Sequence, residues 1–600
     1  MMSPGHSNET HKRKRTSLAC DPCRNRKVRC DGRRPCTTCA QIGTDCVYGS
    51  EAINKSKSDL ILDVAIRSEN LLQELFAQLA ARRSPSQNPS AISPHAVISP
   101  GTVSNAYRGE GRPDHISNAT LSPFHASTTE SILSWPQFAE FGNLIKERGF
   151  SVFRLESTRV PLAHRPCMVQ PYMPKQDVER TVRSFERGIN FWYPTMPRTM
   201  TQELQTLIIS GTFDDSLPSC LALLIMALGC ACELVGFFAR RETPNASEAD
   251  SQRQKRLMGE LYFDSAFKKI YLAQAGFTAE AVQCLFFTGL YFSFLQRPLQ
   301  AWSFISAAAT KCRLLLSYDV PEQTPEQLEC LRRIFWSCYI LESDFLAELA
   351  GLPQTGIAEI ESSIPLPRDF CTQESENDQE QSSLYFLACI SMRRLLNRVH
   401  DLLYARDAGV GFDNHQFPSV VSELAYQLDE WKDLLPFSFQ FSVNLEPTRT
   451  EEGAFLRQRY LTCKSVIYRP YLTWALSNGD AVEKCPSIVY EGSKLCLEAC
   501  WMHAQNLRNL PHTIMVDTWI CSLSMASVIL ITLAASRVRP LRRLMSSSVL
   551  DIGPHLNELL TQWTHIPGGG TSPSVIESIG LIENVSTLLK ITWNENGVGE

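Results

Sequence analysis

Six cysteines within residues 20–46 constrain this chain more than any other feature. Cys20, Cys23, Cys30, Cys36, Cys39 and Cys46 form two Cys-x-x-Cys pairs, each followed after six intervening residues by a further cysteine. Thiolate is a soft ligand suited to zinc, and a closed zinc site takes four ligands in a tetrahedron. One zinc would leave two sulfurs idle, whereas two zincs need eight ligand places, which six sulfurs fill only if two of them bridge. The near-duplication of the half-motifs makes a bridged pair of metals the economical arrangement. Such a cluster carries about two net negative charges, which neighbouring Lys and Arg would partly balance. A disulfide framework needs an oxidising compartment, and the opening MMSPGHSNETHKRKR has no apolar core of a secretory signal. A single-zinc ribbon or RING-like site would call on His, and no His lies between Cys20 and Cys46.

At these residues the stretch resembles the DNA-binding domain of the fungal binuclear zinc-cluster transcription factors. The cysteine spacing carries the likeness, with the basic run Arg24 to Arg29, Asp31-Gly32 after the third cysteine and Pro35 before the fourth. The resemblance implies two zinc ions, with Cys20 and Cys36 bridging, Cys23 and Cys30 completing one site, and Cys39 and Cys46 the other. It also implies two short helices, the first presenting its carboxyl end to the major groove of double-stranded DNA. On that mapping Arg26 and Lys27 read a GC-rich, CGG-type half-site, because their donors suit guanine N7 and O6. Arg24, Arg29 and Arg33 are assigned to phosphates, which position without specifying.

The net charge of −5 conceals an asymmetry. Residues 1–50 hold ten Lys/Arg against four Asp/Glu, a net of +6, leaving 48 basic against 59 acidic residues for the remainder. A basic head on a mildly acidic body favours a polyanion partner for the head alone. The other fifteen cysteines are scattered among apolar residues without ligand spacing, as expected of reduced, buried thiols in an intracellular protein. Two uncharged runs, Pro218 to Cys232 and Trp519 to Ser536, fall short of about twenty residues and lack flanking basic asymmetry, so they are expected as core helices, with no membrane partner.

Taken in order, residues 1–19 form a basic arm in which Lys12, Arg13, Lys14 and Arg15 are candidates for nuclear import or phosphate contact. The zinc-cluster domain spans 20–48. Over 59–83, Ile61, Ala65, Ser68, Leu72, Leu75 and Leu79 repeat at spacings of three and four, a short coiled-coil seam that would pair two chains. The alternative is an amphipathic helix packed on its own chain. Residues 84–130 turn to Ser, Pro, Asn and Gly, too polar to offset chain entropy, and are expected as disordered linker. The body, 131–592, reads as helix upon helix. Leu328, Leu331, Phe335, Cys338, Leu341 and Phe345 mark one buried face, and Ala281 to Phe294 is apolar nearly all round.

The body bears a second resemblance, to the fungal transcription factor regulatory domain, or middle homology region. Carrying it are Met173 to Arg180 with Phe185 and Tyr193-Pro194, Cys220 to Gly229, Glu280 to Gln283, Leu290-Tyr291 and Ala301-Trp302. Arg332 to Tyr339, Gly351 to Pro353, Ile364 to Pro367 and Tyr468 to Leu472 continue it. Asn190 to Trp192 departs from the His- and Pro-rich stretch usual in the family. The expected class is therefore mostly α: zinc-cluster head, short coiled coil, linker and a large all-α regulatory domain. No His-Glu-x-x-His, Gly-x-Ser-x-Gly or phosphate-cradling loop is present, and Pro567 to Gly570 lacks the lysine such a loop requires, so no enzyme is expected. Glu374, Glu376, Asp378 and Glu380 are expected as an exposed loop, with an acidic activation segment as the alternative. The resemblance implies a nuclear, homodimeric regulator of RNA polymerase II genes that engages the transcription machinery, tied to one pathway, with a secondary-metabolite gene cluster as the first expectation. Primary carbon or nitrogen metabolism is the second. From another class, an effector-binding protein or enzyme with a zinc-stabilised accessory head remains, since a bundle rich in Phe, Trp and Leu has room for a small effector.

Overall fold

In the computed structural model, the described residues are 22, 23, 26, 28, 30, 33, 35–44 and 46, then 125–595 apart from 142–149, 163–170, 240–245, 319–322, 350, 369, 371–376, 406–414, 480–485, 511–516 and 566–571. The chain divides into two units, residues 1–60 and 61–600. The proposed coil at 59–83 lies outside the described residues, as does the linker up to residue 124.

Among its described residues the first unit contains the short helix α1 (Thr37–Ile42). Among its described residues the second is helical: α2 (Thr129–Leu133), α3 (Val152–Ser157), α4 (Lys175–Phe185), α5 (Arg198–Ser210), α6 (Leu217–Ala239), α7 (Ala246–Phe267), α8 (Ile270–Ala275), α9 (Ala279–Phe294), α10 (Pro298–Ser317), α11 (Pro325–Glu348), α12 (Asn377–Tyr404), α13 (Phe417–Asp433), α14 (Glu451–Asn478), α15 (Ser487–Asn509), α16 (Asp517–Ser536), α17 (Arg539–Arg542), α18 (Ile552–Thr564) and α19 (Pro573–Glu595). No strand occurs among the described residues; the single bridge pairs His125 with Ala405.

Sequence signals set many of these boundaries. Thr324 caps α11 in a reciprocal box with Gln327, and Pro325 occupies the first turn, where its missing N–H costs nothing. Thr278 caps α9 by accepting from the Ala281 N–H at 3.2 Å. Of the sixteen residues of α9, only Glu280 escapes burial, and each Leu, Val or Phe so buried contributes about 1.5–3 kcal/mol. Its neighbours are α6, α8, α10 and α11, which explains the lack of a polar face. α14 and α15 pack along one another, and α16 packs against α19. One continuous apolar core runs from Ile132 to Leu589. The two apolar runs flagged as core helices are long and apolar enough to cross a membrane by composition, yet 83% of each window is buried inside the protein.

Ahead of Phe191 the backbone departs from regular helix. α4 runs into one π-helical turn, Glu186–Asn190, and the Asn190 amide clasps Met196, donating to its carbonyl at 2.9 Å and accepting from its N–H at 3.1 Å. The turn seats Trp192 edge-on against Tyr385 and Phe455. Asp378 and Glu380, expected in a loop, instead stand exposed in the first turn of α12, where negative charge complements the helix dipole; Glu374 and Glu376 lie outside the described residues.

Residues 125–130, which composition assigns to the linker, are among the described residues, and several of them pack into the body. His125, Ser127, Thr128 and Thr129 are all buried. His125 Nε2 donates to the Leu346 carbonyl at 3.0 Å, so its Nδ1 is the acceptor for the Ser127 hydroxyl at 2.6 Å, and Ser127 in turn accepts from His400 Nδ1 at 2.9 Å. Burial depresses the basicity of both imidazoles, which fits this directional, neutral chain. Arg469 on α14 donates to the Ser127 carbonyl at 2.9 Å, and Thr129 bonds the Leu523 carbonyl on α16. Apart from the His125–Ser127 bond, these contacts join residues more than 200 positions apart, and a composition shift gives no sign of them.

Candidate metal centre and nucleic-acid interface

α1 begins at a cysteine. Cys36 is its N-cap and its sulfur accepts from the Cys39 N–H at 3.3 Å, while the Cys36 N–H donates to Cys46 Sγ at 3.2 Å. Amide N–H groups directed at sulfur favour the thiolate. Gly43 closes α1 in the left-handed region at φ +68°, a conformation glycine adopts without penalty, and this turns the chain back so that Cys46 rejoins the cluster.

Cys23, Cys36 and Cys39 are buried, and their sulfurs lie within 4.8 Å of one another. Two thiolates on one tetrahedral zinc, each about 2.3 Å from it, stand about 3.8 Å apart. The Cys23–Cys36 and Cys23–Cys39 separations are 3.6 and 3.9 Å, whereas a disulfide needs about 2.05 Å. Cys30 and Cys46 pack against this trio. Cys36 thus touches the first half-motif through Cys23 and the second through Cys39 and Cys46. The donor set and spacing fit zinc; Cys20 lies outside the described residues.

From Cys23 the backbone makes a helical turn, with Arg26 N–H bonded to the Pro22 carbonyl at 3.2 Å and Val28 N–H to that of Cys23 at 3.0 Å. Arg26 and Arg33 are exposed. The Arg26 guanidinium sits 3.5 Å from the Thr44 hydroxyl, at the outer limit of a hydrogen bond, and Thr44 is a neighbour that the basic run did not signal. Arg24, Lys27, Arg29 and the arm Lys12 to Arg15 lie outside the described residues.

A model of the fungal Zn(2)-Cys(6) binuclear cluster domain matches residues 18–56, and one of the fungal specific transcription factor domain matches residues 204–433. The chain carries both domains of the fungal zinc-cluster transcription factors. Its cofactor is accordingly zinc, two ions per cluster. Among relatives of this zinc-cluster factor, the transcription factor ecdB of Aspergillus rugulosus is 28% identical over 496 residues, 78% of this chain and 81% of that protein. The uncharacterized transcriptional regulatory protein C530.08 of Schizosaccharomyces pombe is 22% identical over 581 residues, 85% and 67% of the two chains. An ABC-transporter-regulating transcription factor of Aspergillus oryzae is 22% identical over 621 residues, 86% and 67%. The regulatory-domain match of the zinc-cluster factor ends with α13, yet α14 to α19 share one core with the helices before them.

Proposed function

We propose that this zinc-cluster factor is a nuclear, homodimeric regulator of RNA polymerase II genes that reads GC-rich, CGG-type half-sites. Cys20 and Cys36 bridge the metals, Cys23 with Cys30 and Cys39 with Cys46 complete them, Arg26 and Lys27 contact guanine, and Arg24, Arg29 and Arg33 hold phosphates. The buried trio of thiols at zinc-ligand spacing, with Arg26 exposed on the turn that leaves Cys23, is the observation that carries this assignment. The metals make that turn stiff, and a stiff basic turn loses little entropy on entering a groove. The cluster of Lys12 to Arg15 serves import or phosphate contact.

On this reading its targets belong to one pathway, a secondary-metabolite gene cluster, a choice that rests on the family resemblance. The Aspergillus oryzae relative, whose name ties it to an ABC transporter, supports genes of export as a second reading. Titration of the zinc-loaded chain with CGG-containing and scrambled duplexes over a range of salt tests the DNA reading. Affinity for the CGG duplex should exceed that for the scrambled one and fall steeply with salt; equal affinity for both duplexes would refute it. Genome-wide mapping of occupancy reports half-site spacing and pathway together.

A further inference from the structure

Between α11, α12, α14, α15, α16 and α18 lies a partly open cavity of about 180 Å³, slightly larger than the engineered cavity of about 150 Å³ that accepts benzene. Met392, Leu396, Phe455, Val466, Val528 and Ile531 supply its apolar wall. Its polar wall is unusual for a protein core because three guanidinium groups, those of Arg393, Arg459 and Arg469, face two carboxylates. Asp344 pairs with Arg393 and lies 3.7 Å from Arg459. Glu348 accepts from the Thr129 hydroxyl at 3.2 Å. Cationic charge is left in excess.

Specific donors are also left without acceptors. Arg393 is 4% exposed, and its Nε and Nη1 have no partner; Arg469 is 7% exposed, and its Nε has none. A buried charged donor without an acceptor is costly. Both residues line the same cavity, and both lie close enough to His400 to oppose its protonation. Packing alone accounts for the apolar wall but gives no reason for these unmatched N–H groups.

We propose that the cavity binds a small organic anion, a monocyclic aromatic carboxylate, whose carboxylate is received by Arg393 and Arg469 while its ring lies on the apolar wall. Guanidinium is the group that best matches a carboxylate geometrically, and the volume suits one ring. The inference depends on the regulatory reading of the body only for its consequence, because ligand binding is read without DNA.

The test titrates the full, zinc-loaded chain with benzoate, with benzyl alcohol as the neutral counterpart and sodium chloride at matched ionic strength as the anion control. One benzoate per chain should bind saturably, and benzyl alcohol should bind at least about tenfold more weakly. Arg393→Gln strands Asp344 and endangers folding, so Arg469→Gln is the variant of choice; it should weaken benzoate by about tenfold or more. No saturable benzoate binding at millimolar concentration would mean that water alone occupies the cavity, and would overturn the proposal. Equal binding of benzyl alcohol, or an unchanged benzoate affinity in Arg469→Gln, would overturn the anion assignment. CGG recognition stands or falls separately.

Discussion

Replacing Glu348 by Gln should change how the stability of the body depends on pH, and the structure sets the size of the change. Burial raises the Glu348 carboxyl from its ordinary 4.5 to about 7, against smaller opposing contributions from the Thr129 hydrogen bond and from Arg469. Between those two values the folded chain holds a proton that the unfolded chain has released. Stability contributed by this group is therefore full below about pH 4.5 and is lost as pH rises through about 7. The interval corresponds to about 3 kcal/mol. Glu348→Gln removes the titration, so the variant should gain on the parent by about 3 kcal/mol between about pH 4.5 and about pH 8. All ten tryptophans lie between residues 135 and 593, so urea denaturation followed by tryptophan fluorescence reports on the body and not the zinc head. Groups common to both proteins, including His400 and His503, largely cancel in the difference. A difference between variant and parent that stays flat across this pH range would refute the reasoning.

Three further outcomes are expected. Cys36→Ser should empty both metal positions, read as zinc per chain by elemental analysis, whereas loss of one zinc would show that Cys36 serves a single metal. Arg26→Ala should cost specific CGG binding about 1–3 kcal/mol while the tryptophan-monitored body stays unchanged; undiminished discrimination between specific and scrambled duplexes would remove Arg26 from base reading. At Gly229 a Cβ would fall 2.3 Å from the Thr181 carbonyl oxygen, so α4 and α6 cannot keep their close crossing if it is filled. Gly229→Ala should destabilise the body by about 1–3 kcal/mol in the same urea assay, and a neutral result would mean that the helices separate freely.

What the sequence disclosed depended on how local the determinant was. Cys20 to Cys46 announced a metal cluster because ligand spacing within 27 residues is itself the chemistry. α9 and α16 were legible as core because an all-apolar helix has nowhere else to go. The capped start of α11 could also be foreseen, from Thr324, Pro325 and Gln327 in order. By contrast, the His125–Ser127–His400 chain depends on partners 273 residues apart, and no spacing rule reaches that far. Nothing in the sequence set Arg393, Arg459 and Arg469 apart as a group; only the packing of α12 against α14 brings them to one pocket. The π-helical turn before Phe191 escaped because one extra residue in a helix leaves the apolar pattern almost unaltered.

Arg469 has two jobs that draw on one side chain. Its Nη1 grips the Ser127 carbonyl at the earliest described stretch of the body, while the same residue lines the small chamber. The first described residues of the body are thus held by the very guanidinium that a guest would engage, and filling the chamber and fastening that segment become one side chain's business.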